Sequence, residues 1–339
     1  MTVKKNPAII LCRICSMFLI VLCHIISRYT FVPGHQFWGQ IFNCAVFTFL
    51  AISGYLYGTK TIGDFRMWLE KRIKSVFLPS LIVIAFVFFC TAVSGEQIHL
   101  FSMVMYFLNL QGLGFIFSDF YSVFRDAPGL GPLWFMTIIM ICYLTIPVLQ
   151  KLRALCGKRI TGIKVVFWSI VSCILSYAIS VTAGISLIYF VSFAVGYFAG
   201  AGHLEKKMDR FQFFLLTLLM LLSQVCRLLF RAAIDGTMAY QTFVSISQLV
   251  LGIWIMMFFF RLEKVCPKFC DRMAGCKIAA VLSDSALYIY MVHYLFCSGF
   301  VDVYAISANI LTATFWFVLA TAAGTYLLKR LTEFLSLRL

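Results

Sequence analysis

The sequence is poor in charged residues, and acidic residues are the scarcest of them. Only 12% of its 339 residues are charged, whereas 62% are hydrophobic. Soluble domains carry about 25% charged residues, so this composition excludes an ordinary soluble enzyme and indicates an integral membrane protein. The 28 basic and 13 acidic residues give a formal net charge of +15. Membrane proteins concentrate Lys and Arg in cytoplasmic loops, so this charge does not indicate a nucleic-acid partner, and none is expected.

We also expect neither a cleavable signal peptide nor a disulfide framework from this sequence. Lys4 and Lys5 precede a long apolar run without a small-residue cleavage site, so we expect this run to be retained as the first transmembrane span. The 13 Cys residues are scattered mostly through apolar segments, which predicts small buried side chains rather than a disulfide framework. Cys266, Cys270 and Cys276 are irregularly spaced and have no His partner, so no metal site is expected.

Apolar stretches long enough to cross a bilayer are abundant. A spanning helix needs about 17–25 predominantly apolar residues. We predict an all-α, polytopic bundle of about ten transmembrane helices that forms a single domain over residues 1–339. The predicted spans are 9–28, 37–58, 76–94, 132–150, 163–182, 185–201, 211–230, 243–260, 278–299 and 308–328.

The positions of Lys and Arg predict the orientation of these spans. If the N-terminus is cytoplasmic, 24 of the 28 basic residues lie on the cytoplasmic side, so both termini are predicted to be cytoplasmic. An additional span at residues 98–117 would leave only 11 basic residues inside and 17 outside. We therefore interpret residues 95–131 as an outer loop with an interfacial or re-entrant helix, and as a candidate acceptor-binding segment.

Arg13 and His24, both in the first span, form the main candidate site. Ionisable residues inside a membrane are rare and usually face a protein interior or a water-filled cavity. Their separation of 11 residues places them on one helix face, about 16 Å apart along the axis. In the predicted orientation, Arg13 is near the cytoplasm and His24 is nearer the outer surface. The alternative is an Arg that extends to the membrane surface and a His that hydrogen-bonds a neighbouring helix.

Four residues in later spans are further candidates. Ser53 precedes Gly54 in the second span, where small residues also favour close helix packing. Trp134 begins the fourth span, where it could anchor the helix at the membrane surface or stack against a sugar. Tyr290 and His293 lie in the ninth span, with His293 near mid-membrane.

A basic stretch at residues 65–75 precedes the third span and includes Arg72 and Lys74. Arg presents a planar fork that suits phosphate, so this stretch is a candidate site for a phosphate-rich ligand. The alternatives are that it determines topology or binds anionic lipid.

Together, these segments resemble the acyltransferase-3 family of bacterial integral-membrane acyltransferases, over essentially the whole chain. The matching pieces are Arg13 with His24, and residues 49–55, 71–79, 133–147 and 288–293. The resemblance implies a multi-pass enzyme of the bacterial inner membrane. Such an enzyme transfers an acyl group, usually acetyl, from cytosolic acyl-CoA to a hydroxyl of an extracytoplasmic or lipid-linked glycan.

The resemblance also assigns roles to the candidate residues. His24 would be the essential His and general base, and Arg13 would contact the acyl donor. Arg72 matches the first Arg of the family's Arg-x-x-Arg motif; the second position is Ser75, and the adjacent Lys74 is expected to replace it. The residues expected to line the acceptor cavity are Ser53, Trp134, Tyr290 and His293. Acyl-CoA would be a co-substrate, and the expected partners are membrane lipid and a glycan or glycolipid; no bound cofactor or metal is expected.

A transport function is the alternative interpretation. The intramembrane ionisable residues would then form a relay in a transporter or flippase for an anionic glycolipid or small acid, composed of Arg13, His24, Asp284 and His293. The sequence contains no convincing internal repeat, a feature that many secondary transporters have.

Overall fold

A computed structural model describes residues 6–28, 34–117, 129–157, 160–307 and 309–338. The structure is 85% helical, and no strand is assigned within these ranges. The prediction of an all-α fold is therefore confirmed.

The helices are numbered in chain order. The first nine are α1 (Pro7–Arg28), α2 (His35–Phe42), α3 (Cys44–Gly58), α4 (Phe65–Val93), α5 (Leu100–Phe107), α6 (Leu113–Ile116), α7 (Trp134–Leu144), α8 (Ile146–Cys156) and α9 (Gly162–Ala183). The others are α10 (Ile188–Gly202), α11 (Leu204–Lys207), α12 (Arg210–Ile234), α13 (Met238–Val265), α14 (Pro267–Gly275), α15 (Lys277–Ser298), α16 (Val303–Ile306) and α17 (Ile310–Ser336). A short 3-10 turn at Gly131–Leu133 precedes α7.

Each predicted span corresponds to a helix or to consecutive helices, but not all of them are long enough to cross a membrane. In the described residues, 8 segments are sufficiently long and apolar. The span predicted at 132–150 is formed by α7 and α8, which are bent by 43° relative to each other. The span predicted at 185–201 is α10, which has only 15 residues. The protein is therefore a multi-pass membrane protein with about eight candidate spans, whereas ten spans with cytoplasmic termini stay a prediction.

Residues 98–117 do not form a spanning helix. They contain α5 with 8 residues and α6 with 4. At 1.5 Å per residue, α5 is about 12 Å long, far less than the thickness of a bilayer. The rest of the predicted outer loop, residues 118–128, lies outside the described residues.

Several helices expose apolar side chains along most of their length. In α9 and in α12, only 11% of the most apolar window is buried inside the protein. The exposed side chains include Phe167 and Ile170 on α9 and Leu218 and Leu222 on α12. Continuous apolar surface of this kind is expected where a helix faces lipid rather than water.

The chain divides into two compact units. Unit 1 consists of Met1–Leu19, Ile41–Gly63 and Cys142–Ser283, and unit 2 of Ile20–Gln40, Asp64–Ile141 and Asp284–Leu339. The single-domain organisation predicted from the sequence stays a prediction.

Unit 1 is built around the close approach of α3 and α10. A Cβ atom added at Gly54 would lie 2.0 Å from the carbonyl oxygen of Phe193, and one added at Gly196 would lie 2.0 Å from that of Ala51. The two helix backbones are therefore in direct contact, the geometry that small residues permit between membrane helices. The hydroxyl of Ser192 donates a hydrogen bond to the carbonyl of Phe47 at 2.8 Å, which joins the same two helices.

Unit 2 contains a buried turn between α5 and α6. The hydroxyl of Ser80 on α4 donates to Asn109 Oδ1 at 2.7 Å, and the hydroxyl of Thr137 on α7 donates to the Asn109 carbonyl at 2.5 Å. The Gly112 N–H donates to Thr137 Oγ1 at 3.0 Å. The two bonds of Thr137 satisfy backbone groups that the helices leave unpaired, as irregular backbone within a membrane protein requires.

Candidate active site

His24 and His293 lie side by side in unit 2. His24 is on α1 and His293 is on α15, and their ring centroids are 5.2 Å apart with the planes inclined at 41°. The His24 side chain is half-buried, whereas His293 is fully buried. The structure thus places together two of the residues singled out in the sequence. Helix α1 also contains Arg13, so the helix expected from the spacing of Arg13 and His24 is confirmed.

The hydrogen bonding of His293 determines which ring nitrogen is available. Its Nδ1 lies 3.1 Å from the carbonyl oxygen of Ile289, one turn earlier on α15. Because a carbonyl oxygen can only accept, Nδ1 carries the hydrogen in this contact. In a neutral imidazole, Nε2 is then the acceptor. That atom is buried and has no hydrogen-bond partner among the described residues.

Two tyrosines flank the histidine pair. The Tyr294 ring meets the His24 ring edge-on, with centroids 4.8 Å apart. The Tyr290 ring lies 5.9 Å from that of His293, and its hydroxyl donates to the carbonyl of Pro132 at 2.6 Å. This hydrogen bond joins α15 to the turn before α7. The sequence analysis singled out Tyr290 but not Tyr294. The only sequence feature that could have indicated Tyr294 is its position next to His293.

Trp134 is connected to the same cluster through its neighbour. Its side chain is only 7% exposed, and its ring stacks on Phe115 at a centroid distance of 4.3 Å. Phe135 lies 5.3 Å from Tyr290. The structure therefore gathers His24, His293, Tyr290 and Trp134 in one unit. The acceptor role of Trp134 stays a prediction.

An ion pair near His24 was missed in the sequence. Arg28, one turn beyond His24 on α1, pairs with Asp302 in the segment after α15. Asp302 also caps α16, because its other oxygen accepts from the backbone N–H of Tyr304 and of Ala305, both at 3.1 Å. The spacing of Arg28 from His24 was visible in the sequence, but its partner 274 residues away was not.

The remaining predicted site residues are divided between the two units. Arg13 and Ser53 belong to unit 1, where both are half-buried. Arg72 and Lys74 belong to unit 2. Lys74 is exposed, and Arg72 has a buried Nε without a hydrogen-bond partner in the described part of the chain.

Arg72 and Lys74 lie on the same helix as the third predicted span rather than in a separate segment before it. Helix α4 begins at Phe65, well before the predicted start of the span at residue 76. The reason is a capping interaction: the Asp64 side chain accepts from the Met67 N–H at 3.0 Å. A regular helix therefore carries the basic stretch directly into the apolar segment.

All 13 cysteines are free thiols in the structure. Cys270 lies on α14, which connects two candidate spans, and its side chain is buried. Burial, reinforced by the Glu263 carboxylate, raises the pKa of the Cys270 thiol, which disfavours the reactive thiolate. Within the described residues, no group of three His, Cys, Asp or Glu side chains could hold a metal ion.

Comparison with known proteins adds one finding to this geometry. Residues 6–330 match the acyltransferase domain model of the acyltransferase-3 family. Searches of curated proteins and of solved structures found no match. The family match extends over nearly the whole chain and includes both units. The chain therefore belongs to the acyltransferase-3 family, and it is a membrane acyltransferase.

Proposed function

We propose that this protein transfers an acyl group, most simply acetyl, from cytosolic acyl-CoA to a hydroxyl of an extracytoplasmic or lipid-linked glycan. In this proposal it is a multi-pass protein of the bacterial inner membrane, and His24 is the general base. The family supports acyl transfer at a membrane to a glycan-type acceptor. The contact between His24 and His293 carries the assignment of the base.

The histidine pair supports base catalysis because the protein must remove a proton from the attacking hydroxyl. Imidazole is the side chain best suited to accept and return a proton near neutral pH. His24 is half-buried as a residue and keeps some accessible surface. His293 is fully enclosed, and its Nε2 is an acceptor without a partner among the described residues. We therefore assign the chemistry to His24 and a positioning role to His293.

The proposed reaction is a direct transfer. A nitrogen of His24 takes the hydroxyl proton of the acceptor while the hydroxyl oxygen attacks the carbonyl carbon of the thioester. The new C–O bond forms, and the tetrahedral intermediate then loses coenzyme A as the C–S bond breaks. The departing sulfur takes the proton from His24, which returns the imidazole to its starting state. The acceptor thus gains an ester, and free coenzyme A leaves.

Basic side chains would hold the phosphate-rich end of the donor. Arg13, Arg72 and Lys74 are the candidates, with Arg offering two parallel hydrogen bonds to phosphate and Lys a single point charge. The unpartnered Nε of Arg72 supports this role, because a buried guanidinium nitrogen needs an acceptor. Ser53, Trp134, Tyr290 and His293 are the candidates for contacts with the acceptor.

The proposal is tested by replacing His24 and following acylation of envelope glycans. Loss of a positioned general base lowers rates by about 10²–10⁴-fold, so His24→Ala should abolish detectable ester formation. Mass spectrometry of released glycans from cells that carry each variant measures the product. His35→Ala, at the first residue of α2, is the matched control and should retain acylation. Normal acylation in His24→Ala at equal membrane abundance would exclude His24 as the base.

A further inference from the structure

Unit 1 contains a cavity that no role proposed above uses. Its volume is about 550 Å³, and polar side chains from three parts of the chain line it. Thr61 follows α3, Gln150 and Arg153 belong to α8, and His203 and Lys207 lie at and beyond the end of α10. Pockets of about 300–1,000 Å³ accommodate small organic ligands.

The lining of this cavity is basic. Arg153, Lys207 and His203 supply basic side chains, and among the described residues no Asp or Glu lines the cavity. The carboxylate of Glu205 lies 3.6 Å from His203 Nδ1. When His203 is protonated, Glu205 balances its charge, and Arg153 and Lys207 leave an excess of positive charge.

Helix ends at the cavity oppose this charge only in part. Helices α8 and α10 both end at its wall, with their carbonyl groups unpaired by the helix. A helix C-terminus behaves as roughly half a negative charge, so two of them contribute about −1. The two permanent cations contribute +2. With His203 protonated and balanced by Glu205, a net attraction for anions is left, although Arg153 also donates to the Gly58 carbonyl at 2.8 Å.

The backbone of His203 provides a second, independent observation. Its φ is 51° and its ψ 44°, a left-handed conformation. Its N–H caps α10 by donating to the carbonyls of Ala199 and Gly200. Glycine is the usual residue at such a cap, and other residues are strained there by about 1–2 kcal/mol. The imidazole therefore occupies the cavity wall at a site where the fold itself would favour glycine, and strain of this kind concentrates at ligand sites.

We propose that this cavity binds the phosphate groups of a phosphorylated organic ligand, with Arg153, Lys207 and His203 supplying the charge. A single phosphate would leave most of the volume empty, so an organic part is expected to fill the remainder. Two sources share this chemistry, a soluble phosphorylated molecule and the headgroup of an anionic phospholipid. The site is inferred from unit 1 alone and does not depend on His24 or on acyl transfer.

The first test measures binding of inorganic pyrophosphate to the full chain in phosphatidylcholine nanodiscs by calorimetry. Lys207→Gln should weaken binding about five- to tenfold, the loss expected for one charge-assisted contact at a partly exposed site. Lys206→Gln is the matched control, because Lys206 is adjacent and exposed but does not line the cavity. It should leave the affinity within about twofold of the unaltered protein.

A second arm tests the lipid source. Phosphatidylglycerol in the nanodiscs should raise the thermal stability of the protein, and Lys207→Gln, but not Lys206→Gln, should remove the increase. If Lys207→Gln but not Lys206→Gln weakens pyrophosphate binding, the ligand is a soluble phosphorylated molecule. If the two variants differ only in the stabilisation by phosphatidylglycerol, the ligand is a lipid headgroup. Equal effects of the two Lys variants in both arms, or no binding in either, would overturn the proposal.

His203→Gly separates binding from folding. Glycine adopts the left-handed conformation without strain, so the variant should be at least as stable as the unaltered protein. The same variant should bind several-fold more weakly to whichever probe gives the selective effect, pyrophosphate or phosphatidylglycerol. Unchanged affinity in this stable variant would remove His203 from the site.

Discussion

The contact between α3 and α10 can be tested by adding single methyl groups. Gly54→Ala would place a Cβ atom 2.0 Å from the Phe193 carbonyl oxygen, and Gly58→Ala would place one 1.9 Å from that of Tyr197. Real Cβ atoms essentially never come closer than 3.0 Å to another atom. Because the obstructing atoms are backbone, no side-chain rotation can relieve either clash. Helix α10 must move away from α3 by about 1 Å.

The size of the effect follows from two opposing terms. Overpacking costs about 1–3 kcal/mol, and a clash with backbone belongs at the upper end, near 3 kcal/mol. Alanine favours a helix over glycine by about 1 kcal/mol. Each single variant should therefore be less stable by about 2 kcal/mol. One movement of α10 relieves both clashes, so the double variant has the cost of overpacking only once, about 3 kcal/mol. It gains the helix preference of alanine at both positions, about 2 kcal/mol in total, and its stability should therefore fall by only about 1 kcal/mol.

The free energy of unfolding of purified protein, measured by circular dichroism during titration with denaturing detergent, provides the assay. Gly63→Ala is the control, because nothing lies within 4 Å of its added Cβ atom, and it should stay within about 0.5 kcal/mol. A double variant that loses about 4 kcal/mol would show that the two clashes are independent. A Gly54→Ala variant as stable as the control would show that α3 and α10 are not in backbone contact.

Two further predictions concern unit 2. Arg28→Gln removes the pair with Asp302 one turn from His24, so the turnover rate should fall about tenfold through misplacement of α1, whereas Arg28→Lys should recover most of it. The assay is acyl transfer by purified protein. Equal rates in the Arg28→Gln and Arg28→Lys variants would show that the ion pair with Asp302 does not position α1. Asn109 has a φ of 53° and its Oδ1 accepts from Ser80 at 2.7 Å. Asn109→Gly should lower the free energy of unfolding by about 1–2 kcal/mol, because that hydrogen bond is lost. Asn109→Ala should lower it by about 1 kcal/mol more, because alanine is strained in the left-handed conformation. The reverse order would show that the backbone at this position is not left-handed.

Much of the fold was readable from local sequence patterns. The positions of the apolar stretches identified every long helix, because the hydrocarbon core requires about 20 apolar residues in a run. The start of α4 was missed because its first turns are basic, and Asp64, a single capping residue, extends the helix into that stretch. The break between α7 and α8 and the short α10 also depend on local details that average hydropathy does not resolve.

The candidate site was only partly readable. His24, Tyr290, His293 and Trp134 were singled out because ionisable or aromatic residues inside apolar runs are conspicuous. That His24 faces His293 at 5.2 Å, and that Arg28 pairs with Asp302, depends on which helices pack together. Neither contact leaves a periodic signal in the sequence. The cavity lined by Arg153, His203 and Lys207 was missed for the same reason, because its cations come from separate helices.

The sequence by itself determined the membrane class of the protein, its helices, the family resemblance and the candidate His24. Only the tertiary structure decided the partners of those helices. In lipid, every apolar helix face is solvated almost equally well, so hydrophobicity indicates that a helix is in the membrane but not which helix it meets. Pairing is decided by close backbone contacts, such as that at Gly54, and by a few polar groups, such as the His24–His293 pair.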